Sequence, residues 1–143
     1  NLRSPLTKGG ETYIAVKEKN FKRPFDYHQV SDGTLRFLAH LLVLLSPESE
    51  LPSLACFEEP ENFVHPRLLE LLAEILKKVK TPVIVTTHSP YFVDFVEPED
   101  LIVIEKKDGK TIPKRLNRKE IEKFLKDFSL GELWYSGKIG GVP

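Results

Sequence analysis

Two adjacent carboxylates, Glu58 and Glu59, close a short apolar run within LACFEEPENFVH, from Leu54 to His65. At the end of a strand, neighbouring side chains point to different sides. One carboxylate can face a magnesium ion, a hard cation that takes carboxylate oxygens and waters. The other can face an attacking water and act as general base beside a terminal phosphate. His88 follows a second apolar run, VIVTT, where an imidazole can contact a phosphate oxygen or orient a water. The stretch VSDGTLR places Ser31, Asp32, Gly33 and Thr34 at the start of a predicted helix. Backbone N–H groups and the helix dipole favour an anion there.

Each of these has a plainer reading when taken alone. Glu58 to Glu61 reads as an acidic turn, His88 as a surface histidine, and Ser31 or Asp32 as an ordinary N-cap. Other residues have plain readings too. Cys56, inside the apolar run, is expected to be a small buried residue. Trp134 and Tyr135 are expected to pack the tail onto a sheet. Arg36 and His40 lie one helical turn apart and are expected to form a polar stripe at an interface rather than a catalytic pair.

The elements that must hold these groups follow from periodicity. After the Gly9-Gly10 turn, alternation predicts a strand over 11–18, with a returning strand over 20–27. A helix is predicted from Thr34 to Ser46, stopped by Pro47. Its many leucines imply burial on several sides. Leu54 to Glu58 and Pro82 to Thr87 read as buried strands of a parallel sheet. Between them, Pro66 opens a helix whose Leu68, Leu72, Ile75 and Val79 repeat at helical spacing. A short helix is predicted over 90–95. Asp108-Gly109 predicts a hairpin between strands 101–105 and 111–114. Asn117 and Glu120 have capping-box spacing and open a helix to about Asp127. Strands joined by helices imply right-handed crossovers, with ligands beyond the C-terminal strand ends.

Composition sets limits. The 143 residues suffice for one core, and with 41% hydrophobic and 29% charged residues the class is globular. Lys plus Arg equals Asp plus Glu, 21 each, so net charge points to neither nucleic acid nor membrane. One cysteine excludes an internal disulfide framework and fits a reducing cytosol, so a cytoplasmic location is expected. No apolar stretch is long enough to span a bilayer, and no signal peptide is expected. The chain has no methionine and begins at Asn1, which leads to the expectation of a piece of a longer product.

Taken in order, the anion cradle, the paired-Glu strand end and the strand ending in His88 resemble the second half of an ABC-type ATPase domain. The closer resemblance is to the RecF/SMC/OLD-like branch of predicted ATPases. It runs from about Gly10 onward and includes the tail SLGELWYSGKIGG. It implies an α/β fold: the C-terminal lobe of a P-loop NTPase, a mainly parallel sheet flanked by helices, with an antiparallel hairpin. Residues 1–143 would form one partial domain. VSDGT occupies the place of the LSGGQ signature, with Ser31 and Gly33 matching. Leu54 to Glu59 matches the Walker B strand. The resemblance makes Glu58 the Mg2+-associated acid, Glu59 the catalytic base and His88 the switch histidine, with PENFVHP as the D-loop. Asp32 and Glu58 depart from the transporter pattern in ways familiar in this branch.

No G-x-x-x-x-G-K-[ST] is present. The resemblance therefore implies an N-terminal half carrying the phosphate loop, without which the chain is inactive. It also implies an ATP-dependent homodimer in which Ser31 and Gly33 act in trans, with DNA as a further possible partner. Two alternatives stay open: a non-catalytic half-domain that assembles with a partner chain, and a metal-dependent nuclease built on Glu58, Glu59, Glu61, His65 and His88.

Overall fold

A computed structural model describes residues 2–6 and 8–141. The expected antiparallel pair near the start is short. β2 (Ala15–Val16) lies between β1 (Leu2–Arg3) and β3 (Phe25–Asp26). A 3-10 turn over 27–29, capped by Asp26, leads to helix α1 (Asp32–Leu44). Ser31 is its N-cap, accepting a hydrogen bond from the Thr34 N–H, so the helix starts two residues earlier than periodicity predicts.

The centre is a β4–α2–β5 crossover: β4 (Ala55–Glu58), α2 (Pro66–Lys78) and β5 (Val83–Thr86). The strands pair in parallel, Ala55 with Val83 through Glu58 with Thr86. Pro66 takes the first helical position, as expected. Lys77 and Lys78 sit in the last turn, where cations suit the dipole. Leu69, Leu72 and Ala73 face Ala55 and Phe57 in the main core, with Phe37 and Leu44 of α1. Burying a side chain such as Leu72 stabilises by about 1.5–3 kcal/mol.

Among the described residues, β4 and β5 are the whole parallel sheet, so the mainly parallel architecture expected from sequence is reduced to two strands in a mixed α/β fold with small sheets. One of its faces is open. Ala55, Phe57, Val83 and Val85 pack inward, while Cys56, Glu58, Ile84 and Thr86 point away from α2. Cys56 is therefore exposed rather than buried, and Ile84 is 53% exposed. Alternation sends these residues to a face that no described element covers. Helix α1 departs from expectation in the same sense. Gly33, Phe37 and Leu44 are buried, but Leu42, Val43 and Leu45 are exposed.

Helix α3 (Pro90–Val93) joins two cores. Phe92 enters the main cluster and Val93 enters a second one. The second cluster takes Val103 from β6 (Ile102–Lys107), Ile121 from α4 (Arg118–Ile121) and Leu130 and Leu133 from α5 (Leu130–Tyr135), while β7 (Lys110–Arg115) pairs with β6 and stays exposed. Asp108 and Gly109 both have positive φ, 51° and 75°, as a tight hairpin turn requires. α4 is far shorter than predicted. Asn117 caps it through the Lys119 N–H without a reciprocal bond from Glu120. The full capping box forms instead at Ser129 and Glu132, opening α5 within the segment expected to be an irregular tail. A Cβ on Gly131 would lie 2.1 Å from the Pro90 carbonyl oxygen, so glycine lets α5 approach α3. Trp134 packs against the second core, but Tyr135 is 75% exposed. No described helix is long and apolar enough to cross a membrane.

Candidate functional site at the ends of β4 and β5

The C-terminal ends of the two parallel strands lie side by side, and the loops that leave them carry the chemistry. The Glu59 N–H donates to the Thr86 carbonyl, extending the ladder one residue past β4. Glu59 then turns with φ 42°, a left-handed value that costs a non-glycine residue about 1 kcal/mol or more. This turn separates the two carboxylates. Glu58 stays on the open face of the strand, while Glu59 is aimed along the loop.

Two neighbours receive Glu59. The Asn62 side-chain amide donates to its Oε2 at 2.5 Å. His88 Nε2 lies 3.8 Å from its Oε1. That separation is too long for a hydrogen bond and short enough for both groups to contact one water or phosphate oxygen. The His88 imidazole is 82% exposed, so it is free to meet a ligand.

The loop after β4 also touches α1. A Cβ built on Gly33 would lie 1.9 Å from the Phe63 carbonyl oxygen. Gly33 therefore allows helix and loop to meet, a steric role in addition to the one its place in VSDGT implies. Phe63 has φ 63° and is 80% exposed, with the Arg36 guanidinium 5.7 Å from its ring centroid. Ser31 Oγ and Thr34 Oγ1 are 2.8 Å apart in a hydrogen bond. Asp32 occupies the first helical position, exposed, where its charge complements the dipole.

The structure thus unites Glu59 with His88 and ties Gly33 to the same loop. Glu58 stands apart on the open face, exposed. A lone carboxylate fits magnesium, which takes one or two protein carboxylates and completes its shell with waters and phosphate oxygens. No group of three or more His, Cys, Asp or Glu side chains among the described residues could hold a metal by themselves. His65 is instead the N-cap of α2, its Nδ1 accepting from the Arg67 N–H. This geometry does not assemble the five-residue metal centre that a nuclease reading requires.

The sequence places Asn62 in the D-loop without a role of its own, and gives Glu61 a role of its own only in that metal centre. Asn62 follows Glu59 by three residues, a turn spacing that could have suggested contact. Arg36 and His40 take different neighbours. Arg36 lies over Phe63, and the His40 ring meets Phe57 edge-on at 5.2 Å. His40 Nδ1 is buried without a hydrogen-bond partner. Burial, and then the Arg36 charge, push its pKa below the ordinary value.

The site is an open rim. The apolar cleft, about 360 Å3, lies elsewhere, between the β2–β3 region and α1, lined by Tyr13, Ile14, Tyr27, Leu35 and Leu38 among others.

Comparison with known families decides the class. Residues 14–94 match the family model described as "AAA domain, putative AbiEii toxin, Type IV TA system". The chain belongs to this family of AAA-type ATPase domains. The match spans more than half of the chain and includes Ser31 to Thr34, the acidic loop and His88. The fold agrees. A solved chain from work on the structural biochemistry of ATP-driven dimerization and DNA stimulated activation of SMC ATPases superposes with a TM-score of 0.66. The alignment covers 88% of this AAA-family chain and 79% of that one, at 17% sequence identity. No curated protein sequence matches the chain significantly.

Proposed function

We propose that this chain supplies half of an ATP-hydrolysing switch domain: the signature, the Walker B strand, the D-loop and the switch histidine. The observation that carries the reading is the approach of His88 to Glu59 at the C-terminal end of a parallel strand pair, inside a region that matches an ATPase family.

Glu59 is the general base. Asn62 holds one of its oxygens and leaves the other toward His88 and the attacking water. His88 contacts the terminal phosphate. Glu58 would hold magnesium, and the ion would supply positive charge to neutralise the phosphates. Ser31 accepts a bond from the Thr34 N–H, which leaves its hydroxyl proton to donate to Thr34 or to a phosphate. In this reading Ser31 and Gly33 serve the nucleotide bound by a second copy of the domain. Dimerisation then depends on ATP.

A complementary half with a phosphate-binding loop completes the site. Support comes from the open rim, and from the open face of β4 and β5 with Cys56 and Ile84 exposed on it. Whether that half precedes Asn1 in one chain or arrives as a partner chain separates the switch enzyme from an assembling half-domain.

The test is ATP hydrolysis with Mg2+ by this chain alone and by the protein made from its full coding sequence, with and without duplex DNA. The expected result is turnover only with the phosphate loop present. Glu59→Gln should lower turnover about 100-fold or more and trap an ATP-bound dimer on a sizing column. Undiminished turnover in Glu59→Gln would remove Glu59 as the base.

A further inference from the structure

Glu61 takes no part in the mechanism above, yet it makes the closest link between the two loops of the site. Its side chain is half-buried. Oε1 accepts two hydrogen bonds from the other loop, one from Thr87 Oγ1 at 2.5 Å and one from the His88 backbone N–H at 3.2 Å. Thr87 Oγ1 in turn accepts from the Ser89 N–H at 3.0 Å. Ser89 Oγ caps α3 by accepting from the Phe92 N–H. A continuous set of bonds therefore runs from the acidic loop to the helix that joins the two cores.

This bridge resolves an oddity of His88. Its imidazole is 82% exposed and has little packing to orient it. Its backbone, however, is tied to Glu61. A fixed backbone leaves only the side-chain torsions free and sets the point from which the imidazole reaches a phosphate or a water. We infer that Glu61 is a positioning residue: its carboxylate joins the loop after β4 to the loop after β5 and fixes the backbone from which His88 reaches Glu59.

The carboxylate geometry supplies a sharp control. Oε2 of Glu61 is buried and makes no hydrogen bond. Glutamine keeps an accepting oxygen for Thr87 and the His88 N–H, and its amide replaces an oxygen that makes no bond, so Glu61→Gln should keep most of the bridge at the cost of a buried amide without an acceptor. Glu61→Ala leaves the Thr87 hydroxyl and the His88 N–H without an acceptor. Thr87→Val removes only the hydroxyl leg and leaves the His88 N–H bond in place.

The inference rests on the ATPase reading for its kinetic arm only. The first measurement is amide hydrogen exchange in this chain, with circular dichroism to confirm the fold of each variant. His88 exchange should rise about tenfold in Glu61→Ala and stay near wild type in Glu61→Gln. Thr87→Val should speed Ser89 more than His88. The second measurement is hydrolysis by the assembled protein. Glu61→Ala should lower kcat about tenfold with KM for ATP little changed, and Glu61→Gln should restore most of it. Equal His88 exchange in Glu61→Ala and wild type would overturn the bridge. So would a Glu61→Gln variant as impaired as Glu61→Ala. If the assembled wild type hydrolyses no ATP, the ATPase reading and the kinetic arm fall, while the exchange arm still decides whether Glu61 holds His88.

Discussion

The Phe63 carbonyl lies against the bare Cα of Gly33, so that a single methyl group there would sit 1.9 Å from its oxygen. Helix α1 and the acidic loop meet at a point that only glycine permits. Gly33→Ala must therefore push the loop outward or shift the helix start. We expect a stability loss of about 1–3 kcal/mol by urea denaturation, despite the helix propensity gained. Hydrolysis in the assembled protein should fall as well, because Phe63 belongs to the loop that carries Glu59. A variant as stable as wild type would mean that the contact yields without cost.

His40 should make stability depend on pH. Its folded pKa lies below the ordinary 6.5, chiefly through burial and then through Arg36. The unfolded chain thus takes up the proton first as pH falls. Stability is complete above about 6.5, declines as pH drops from there through the lowered folded pKa, and levels off below it. His40→Phe keeps a ring against Phe57 and removes both the titration and the partnerless Nδ1. Thermal melts at about pH 8 and about pH 5.5 should differ less in the variant than in wild type. An identical pH response would assign the dependence to another group.

Cys56 offers a direct reading of the open sheet face. In this chain a thiol reagent should label it without denaturant, because its side chain is exposed on β4. In the protein assembled with the proposed complementary half, labelling should slow at least tenfold. Equal rates in the two forms would leave the face uncovered and count against that assembly.

Arg118 ties α4 to the turn over 98–100 by donating to Glu99 Oε1 at 3.0 Å and to Glu97 Oε2. The hydrogen bond from Arg118 is the main cause holding the Glu99 carboxyl below its usual pKa, so this contribution is present above about 4.5 and lost as pH falls through the lowered value. Arg118→Leu should move the Glu99 titration, followed by side-chain carbon NMR, back up toward the ordinary range. The melting temperature should change little, since the pair is exposed. An unmoved titration would show that the hydrogen bond does not persist in solution.

Periodicity and punctuation located the crossover well. Pro66, the leucine spacing of α2 and the two apolar runs placed every central element within a residue or two. They also brought Glu59 and His88 to adjacent strand ends. Alternation in ACFE told which side chains share a face, but not whether that face is covered, so Cys56 was expected inside. Capping spacing occurs at both Asn117 and Ser129, yet only Ser129 closes the reciprocal box. A local pattern could not choose between them, because packing of α5 against α3 decides which helix persists. The Glu61 bridge was invisible because its partner lies 27 residues along the chain, and no local rule couples the two.

That separation also governs the order of events during folding. Parallel strands cannot pair through a tight turn. They need the intervening segment to return the chain. Glu61 meets His88 only after this long closure, whose entropy must be offset by α2 docking on Ala55 and Phe57. The acid, the base and the histidine can exist as formed elements well before they exist as a site. A mutation that merely slows the docking of α2 would leave secondary structure early and intact, and delay the arrival of the site itself.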